Sequence, residues 1–318
     1  MTMKRNLLLC AVATVAIASA QAQVPANAIA GKFSVAADKQ VYFSKGNLQY
    51  TQSTKTWAFA EHQYDMIGDA NVNGSTLADK IDLFGWSGST ATAKWGISTS
   101  TVQNDYSGDF VDWGKNIGDG NTWYTLTIDE WNYLRYNRTD ARDLAGVARI
   151  ALNADGTEYA NGLILLPDAW TCPEGVTFKS GFSSEFGVQA YADYQTFTLA
   201  DWQKLEAAGA VFLPASGGRD GSDVDVVQKI GYYWSATPNG SQTANPFYFN
   251  SNRSLSGNFS RNFGSAVRLV KDYQETGTGI ATPALTPSAT DAHKIIRNGQ
   301  VLIERNGNTY TLTGVEVE

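Results

Sequence analysis

Cysteine and histidine are nearly missing from this chain, with two of each in 318 residues. Cys10 lies inside an apolar N-terminal stretch that reads as removable, which leaves Cys172 as a lone thiol. A lone thiol forms no internal disulfide, and thiol catalysis needs a base that only His62 or His293 would supply. Cys172 is therefore expected to be a buried, unreactive side chain. The same scarcity argues against a Ser-His-Asp triad and against a histidine-rich zinc site. Positive charge is also short: 24 Lys and Arg face 31 Asp and Glu, for a formal charge of −7. An acidic surface repels phosphate backbones, so nucleic acid is excluded as an expected partner. Beyond the N-terminal stretch no run is apolar enough to span a bilayer, which takes roughly 20 residues.

What stands at the start is a secretory signal pattern. Lys4 and Arg5 form a basic beginning, Leu7 to Ala18 an apolar core, and Ser19-Ala20-Gln21-Ala22 a small-residue cleavage site. The core is too short for a membrane anchor. Cys10 follows Leu7-Leu8-Leu9 near its beginning, the wrong place for lipidation. Residues 1–22 are expected to engage the export machinery and be removed, leaving a mature chain from Gln23. Losing Lys4 and Arg5 takes its formal charge from −7 to −9. The cell surface or the medium is its expected location, with the periplasm as the alternative.

Aromatic residues make up 12% of the chain and hydrophobic residues 43%, ample for a packed core. From 32 to 60, short aromatic and β-branched runs separated by Asp38-Lys39, Lys45-Gly46 and Ser53-Thr54 predict a β meander. Residues 68–122 are rich in Gly, Ser, Thr, Asn and Asp without a sustained period, and read as ordered loops pinned by buried aromatics. Two segments share the pattern T-x-x-[DE]-W-x-x-L, at Thr127–Leu134 and Thr198–Leu205. Each predicts a helix whose Thr caps the first turn and whose Trp and Leu share a buried face. Gly209 is a plausible stop for the second. Runs at 162–167, 211–214, 231–237, 245–249 and 264–270 predict strands. Residues 274–292, with Gly277, Gly279, Pro283 and Pro287, read as a linker. Residues 293–318 carry Asn298-Gly299 and Asn306-Gly307 turn signals and predict a C-terminal β tail. Ile295, Val301, Ile303, Tyr310 and Leu312 are expected on one apolar face of it. The domain between signal and linker spans 23–273.

Three runs carry a family resemblance: Leu213-Pro214-Ala215-Ser216-Gly217-Gly218-Arg219; Gly231-Tyr232-Tyr233-Trp234-Ser235-Ala236-Thr237; and Arg261 and Gly264 with Ala266-Val267-Arg268-Leu269-Val270. They resemble the Fibrobacter succinogenes major paralogous domain and related bacterial surface domains, of C-type lectin-like fold. Val41 to Tyr50 and Asp82-Leu83-Phe84-Gly85-Trp86 resemble Bacteroidales exported proteins that carry this domain. The matched runs span roughly residues 32–272. The resemblance implies an α+β, C-type lectin-like domain with two helices, small antiparallel sheets and long loops, plus the short C-terminal β meander. The formylglycine-generating enzymes of related fold use active-site cysteines, so their activity does not carry over to a chain with Cys172 alone. A lectin's calcium–sugar motif is not intact here. The tail, with Arg297-Asn298-Gly299-Gln300 and Tyr310 to Gly314, resembles C-terminal segments of Bacteroidetes exported proteins, some of which are sorting signals.

Candidate sites follow from residue chemistry. Asp69, Asn71 and Asn73, with Gly74, match the start of a calcium loop, with Asp79 as the nearest later acid; Lys80 occupies the twelfth position, where a bidentate acid belongs. The alternative is an Asx-rich turn. Arg219, Asp220, Asp223 and Asp225 set charged side chains on one loop, for a cation or a sugar hydroxyl, or simply a solvated face. Trp86, Trp95, Trp113 and Trp123 sit in loop-like sequence, where indoles stack on sugar rings if exposed and pin loops if buried. No catalytic constellation is visible. The expectation is an exported, non-catalytic surface module for a glycan or protein ligand, needing no cofactor, with calcium the one ion considered. A structural surface component and a divergent or glycan-active enzyme are the alternatives.

Overall fold

The computed structural model describes residues 24–90, 92–118, 122–183, 190–273, 292–297, 300–305, 308–311 and 316–317. The signal pattern at 1–22, residues 274–291 of the 274–292 linker and both Asn-Gly turns of the tail lie outside the described residues, and Ala292 opens a strand. The architecture is mixed α+β, built mostly from small antiparallel sheets with few helices. The chain divides into two units, one spanning Gln23–Gln274 and the other taking in the C-terminal strands.

In the main unit, strands Phe33–Ala36 and Lys39–Phe43 form one hairpin, and Leu48–Thr51 and Thr56–Phe59 another. These are not a single meander across 32–60. Ser44 N–H donates to Leu269 O and Leu48 N–H to Val267 O, so the link runs along the 267–269 segment instead of turning back. Lys39–Phe43 therefore pairs with Leu269–Asp272, and Leu48–Thr51 with Lys80–Ile81. The chain's beginning and the end of the main unit close one sheet.

Both expected helices form, for the expected reason. Thr127 caps Ile128–Asn132, its hydroxyl accepting from Glu130 N–H while the Glu130 carboxylate accepts from Thr127 N–H, a complete capping box. The turn continues as a π-helical segment, Tyr133–Asn137. Thr198 caps Leu199–Ala207 through Asp201 N–H, but the shorter Asp201 carboxylate bonds the Thr198 hydroxyl instead. Gly209, at φ +93°, ends this helix: its N–H reaches Glu206 O, and Ala210 N–H reaches Leu205 O. Trp131 and Trp202 are fully buried.

Strands Ala145–Ala151, Tyr159–Leu165 and Val211–Pro214 form an antiparallel sheet with Thr196–Thr198 added in parallel. Strands Ile230–Asn239 and Thr243–Asn250 pair at length, and Arg253–Ser256 and Phe259–Ser260 both add to the latter. Cys172 is exposed, contrary to expectation, because its segment is irregular and its thiol reaches only Val176 O, at 3.3 Å.

The tail forms antiparallel strands Ala292–Arg297, Gln300–Arg305, Asn308–Thr311 and Glu316–Val317. Register corrects the expected apolar face. Ile295 pairs with Leu302, whereas Ile303 pairs with Tyr310 and Lys294, so alternation puts Ile295 on the face opposite Ile303 and Tyr310. Leu312 lies outside the described residues. Truncation after Gln274 is expected to leave the unfolding free energy of the main unit unchanged within about 1 kcal/mol, since that unit has its own hydrophobic core. Chemical denaturation of both chains checks this, and a loss of several kcal/mol would make the tail part of the main fold.

Candidate ligand-binding cleft

The loop indoles take the pinning role. Trp86, Trp113 and Trp123 are at most 2% exposed, so none offers a face to a ligand. Trp86 Nε1 donates to Ser235 O and Trp113 Nε1 to Trp95 O, which ties irregular backbone to the core. Trp95 is half-buried, with Trp57 beside it at 6.2 Å, but the two planes meet at 71° and form no flat platform. Stacking by these four indoles is corrected accordingly: a polar, irregular loop buries its backbone only when large rings fill the space beneath it.

The charged run splits apart. Gly218–Asp220 and Asp223–Asp225 pair as a hairpin, not an open loop. Arg219 is fully buried, donating to Gly221 O at 2.6 Å and Leu83 O at 3.4 Å, and burial lowers its pKa. Asp223 and Asp225 are exposed, and Asp225 accepts from Val226 N–H. Asp220 alone of the four lines a cleft.

The calcium-loop residues do not converge. Asn71 is buried, its amide oxygen accepting from Asp82 and Leu83 N–H and its nitrogen donating to Gly68 O and Asp82. Both Asp79 oxygens accept from Ser53. Asp69 and Asn73 are exposed. Among the described residues no group of three acidic, histidine or cysteine side chains gathers. The segment is a turn closed by Asn71: the Asn71 amide and the Asp79 carboxylate are engaged by protein donors, whereas Asp69 and Asn73 are exposed.

The cleft at Asp220 occupies about 470 Å³, within the range of small-ligand sites. Three distant segments line it: Thr101 and Gln103, the hairpin turn at Asp220, and Asn258–Phe263 without Arg261. Arg261 is the anchor of that last segment. Its guanidinium, nearly buried, donates to Thr243 O, Gly108 O and Gly240 O and lies 4.0 Å over the Trp86 ring. With Arg261 held inside, Phe259 and Phe263 remain half-exposed on either side. They join Tyr232 and Tyr248 in a four-ring cluster with centroid separations of 5.2–5.8 Å. Tyr232 and Tyr248 are cross-strand partners on the outer face of their sheet, while Tyr233, Phe247 and Phe249 point to the core.

Polar groups border these rings. Gln103 Nε2 donates to Ser260 Oγ at 2.9 Å, joining the first segment to the third. Asn262 Nδ2 donates to Asp220 Oδ1 at 3.2 Å, joining the second. Asn262 Oδ1 is buried without a partner, and the exposed Asp220 carboxylate has lone pairs to spare. Sequence reasoning found Asp220 and missed the aromatic half. The signal was in the alternation Asn258-Phe259-Ser260 and the pair Tyr232-Tyr233, whose neighbours must face opposite sides of a sheet. No family model, no curated protein and no solved structure matches the chain, so the cleft stands on its geometry alone.

Proposed function

We propose that this is an exported, non-catalytic glycan-binding module of C-type lectin-like fold, related to the Fibrobacter succinogenes major paralogous domain, and that it binds its ligand in the cleft at Phe259. The observation that carries the reading is the pairing of half-exposed rings with the Asp220–Asn262 carboxylate–amide pair in one cleft. A sugar ring presents C–H bonds to an aromatic face and hydroxyls to acid and amide groups at its rim. One carboxylate among the lining residues suits hydroxyl recognition, whereas glycoside hydrolysis works with two.

A glycan array probed with the mature chain tests the reading, with and without calcium. Retention of a glycan that survives chelation is expected. Phe259→Ala and Asp220→Asn are each expected to weaken it about tenfold, the value of roughly 1.4 kcal/mol for one stacking or charged hydrogen-bond contact. Asp220→Asn should leave the melting temperature unchanged, because the side chain is exposed. Binding indifferent to both substitutions would remove the cleft from the proposal, and retention of no glycan at all would turn the search toward a protein ligand.

A further inference from the structure

Arg149 differs from Arg138, Arg219, Arg261 and Arg268 in that neither of its terminal nitrogens meets a protein acceptor among the described residues. Arg138 pairs with Asp168, and Arg219, Arg261 and Arg268 donate to carbonyl groups inside the fold. Arg149 is half-buried, and its guanidinium carbon lies over the Tyr159 ring, 3.7 Å from the centroid. Its Nε donates to Asn161 Oδ1 at 3.0 Å, while its two terminal nitrogens meet no protein acceptor among the described residues. Together with Asn161, Tyr191 and Lys229 it lines a pocket of about 310 Å³, separate from the Phe259 cleft.

The surroundings fix this guanidinium in place. Asn161 is 6% exposed and is clamped by Gln228, whose Oε1 accepts from Asn161 N–H, whose Nε2 donates to Tyr159 O and whose backbone O accepts from Asn161 Nδ2. The Gln228 side chain thus continues the ladder of the Tyr159–Leu165 strand like a fragment of backbone. Its own turn holds two non-glycine residues in the left-handed region, Val226 at φ +52° and Gln228 at φ +63°. A β-branched residue there is strained, and such strain persists where surrounding bonds enforce it and clusters at binding sites. Tyr191 Oη donates to Lys229 O, holding the residue that brings the second cation to the pocket.

We infer that this pocket binds a carboxylate. A guanidinium stacked on one face and bonded through Nε keeps one edge free, with two parallel N–H donors that match the two oxygens of a carboxylate. Lys229 adds attraction without that geometry. On a chain of formal charge −7, long-range attraction for anions is absent, so recognition rests on this local pair. The inference is independent of the glycan reading: the carboxylate is borne by an acidic sugar or by a small organic acid.

Calorimetric titration of the full mature chain at low salt with glucuronate, acetate and glucose tests this. Glucuronate is expected to bind and glucose not. Acetate binding as well as glucuronate assigns the pocket to organic acids, and acetate failing assigns it to acidic sugars. Arg149→Lys keeps the charge but loses the fork, and is expected to weaken binding at least tenfold; Lys229→Gln, on an exposed side chain, is expected to weaken it less, and about equally for every carboxylate. Melting curves of both variants establish that they are folded. No binding of either carboxylate, glucose binding as tightly as glucuronate, or full affinity in folded Arg149→Lys would each overturn the assignment.

Discussion

Replacing Trp131 or Trp202 by alanine is expected to lower the unfolding free energy by about 3–5 kcal/mol, the cost of deleting a large aromatic from a packed interior. Trp131 is 1% exposed and stacks on Phe247 at 4.8 Å with planes 6° apart, with Phe43 and Tyr233 around it. Trp202 is fully buried against Phe212, at 5.5 Å, in the cluster that holds Ile150, Ile164 and Leu205. Neither side has room to collapse, because each ring is surrounded by strands of a paired sheet. Both indole nitrogens are buried without an acceptor. Phenylalanine at either position should therefore cost much less than alanine, since the N–H it removes contributes no bond. Denaturant midpoints of the four variants check both statements. Midpoints equal to the wild type in the alanine pair would place these rings outside the core.

The two helices were legible because their determinants are local. A Thr, an acid three residues on and a Trp-Leu face act within two turns of chain, and each does in the structure what its chemistry requires. The strands were legible one at a time, from aromatic and β-branched content, but their partners were not. Val41 pairs with Asp272 and Phe43 with Val270, across more than two hundred residues, and no local pattern carries that information. The cleft has the same difficulty in sharper form. Gln103, Asp220 and Asn262 meet only because Arg219 and Gly264 exchange backbone hydrogen bonds and Gln103 reaches Ser260. The loop tryptophans show the limit from the other side. Their sequence setting fits a sugar platform and a loop anchor equally, and only burial decides. Arg261, visible as part of a family motif, does its work through what it frees: with its charge held over Trp86, the two neighbouring phenylalanines are left at the surface.

Asp82 should make the protein lose stability as pH rises from about 4 to about 6. The carboxyl is completely buried, and burial pushes its pKa up from 3.8 to about 6, although Ile67 N–H and the Asn71 amide donate to it. The folded state then holds the proton more tightly than the unfolded chain. The stability contributed by the protonated form is fully present below the unfolded pKa, near 3.8, and is lost as pH rises through the folded value near 6. A shift of this size corresponds to about 3 kcal/mol. Other carboxyls complicate the raw profile: Asp155 and Asp201, hydrogen-bonded to Thr157 and Thr198, have lowered pKa values and act in the opposite direction, and Asp112 is raised by burial like Asp82. Comparison with Asp82→Asn removes these, because they contribute equally to both proteins. The amide cannot ionise, and the donor it turns toward Ile67 or Asn71 adds a penalty that does not change with pH. The wild type's stability relative to Asp82→Asn is therefore expected to fall by roughly 2.4 kcal/mol between pH 4 and pH 7, most of the full shift, read from urea denaturation of both proteins at unit intervals. A difference independent of pH would mean that Asp82 ionises at its ordinary value. Leu83, the next residue, accepts from the guanidinium of Arg219, the residue that precedes Asp220 in the hairpin bordering the cleft.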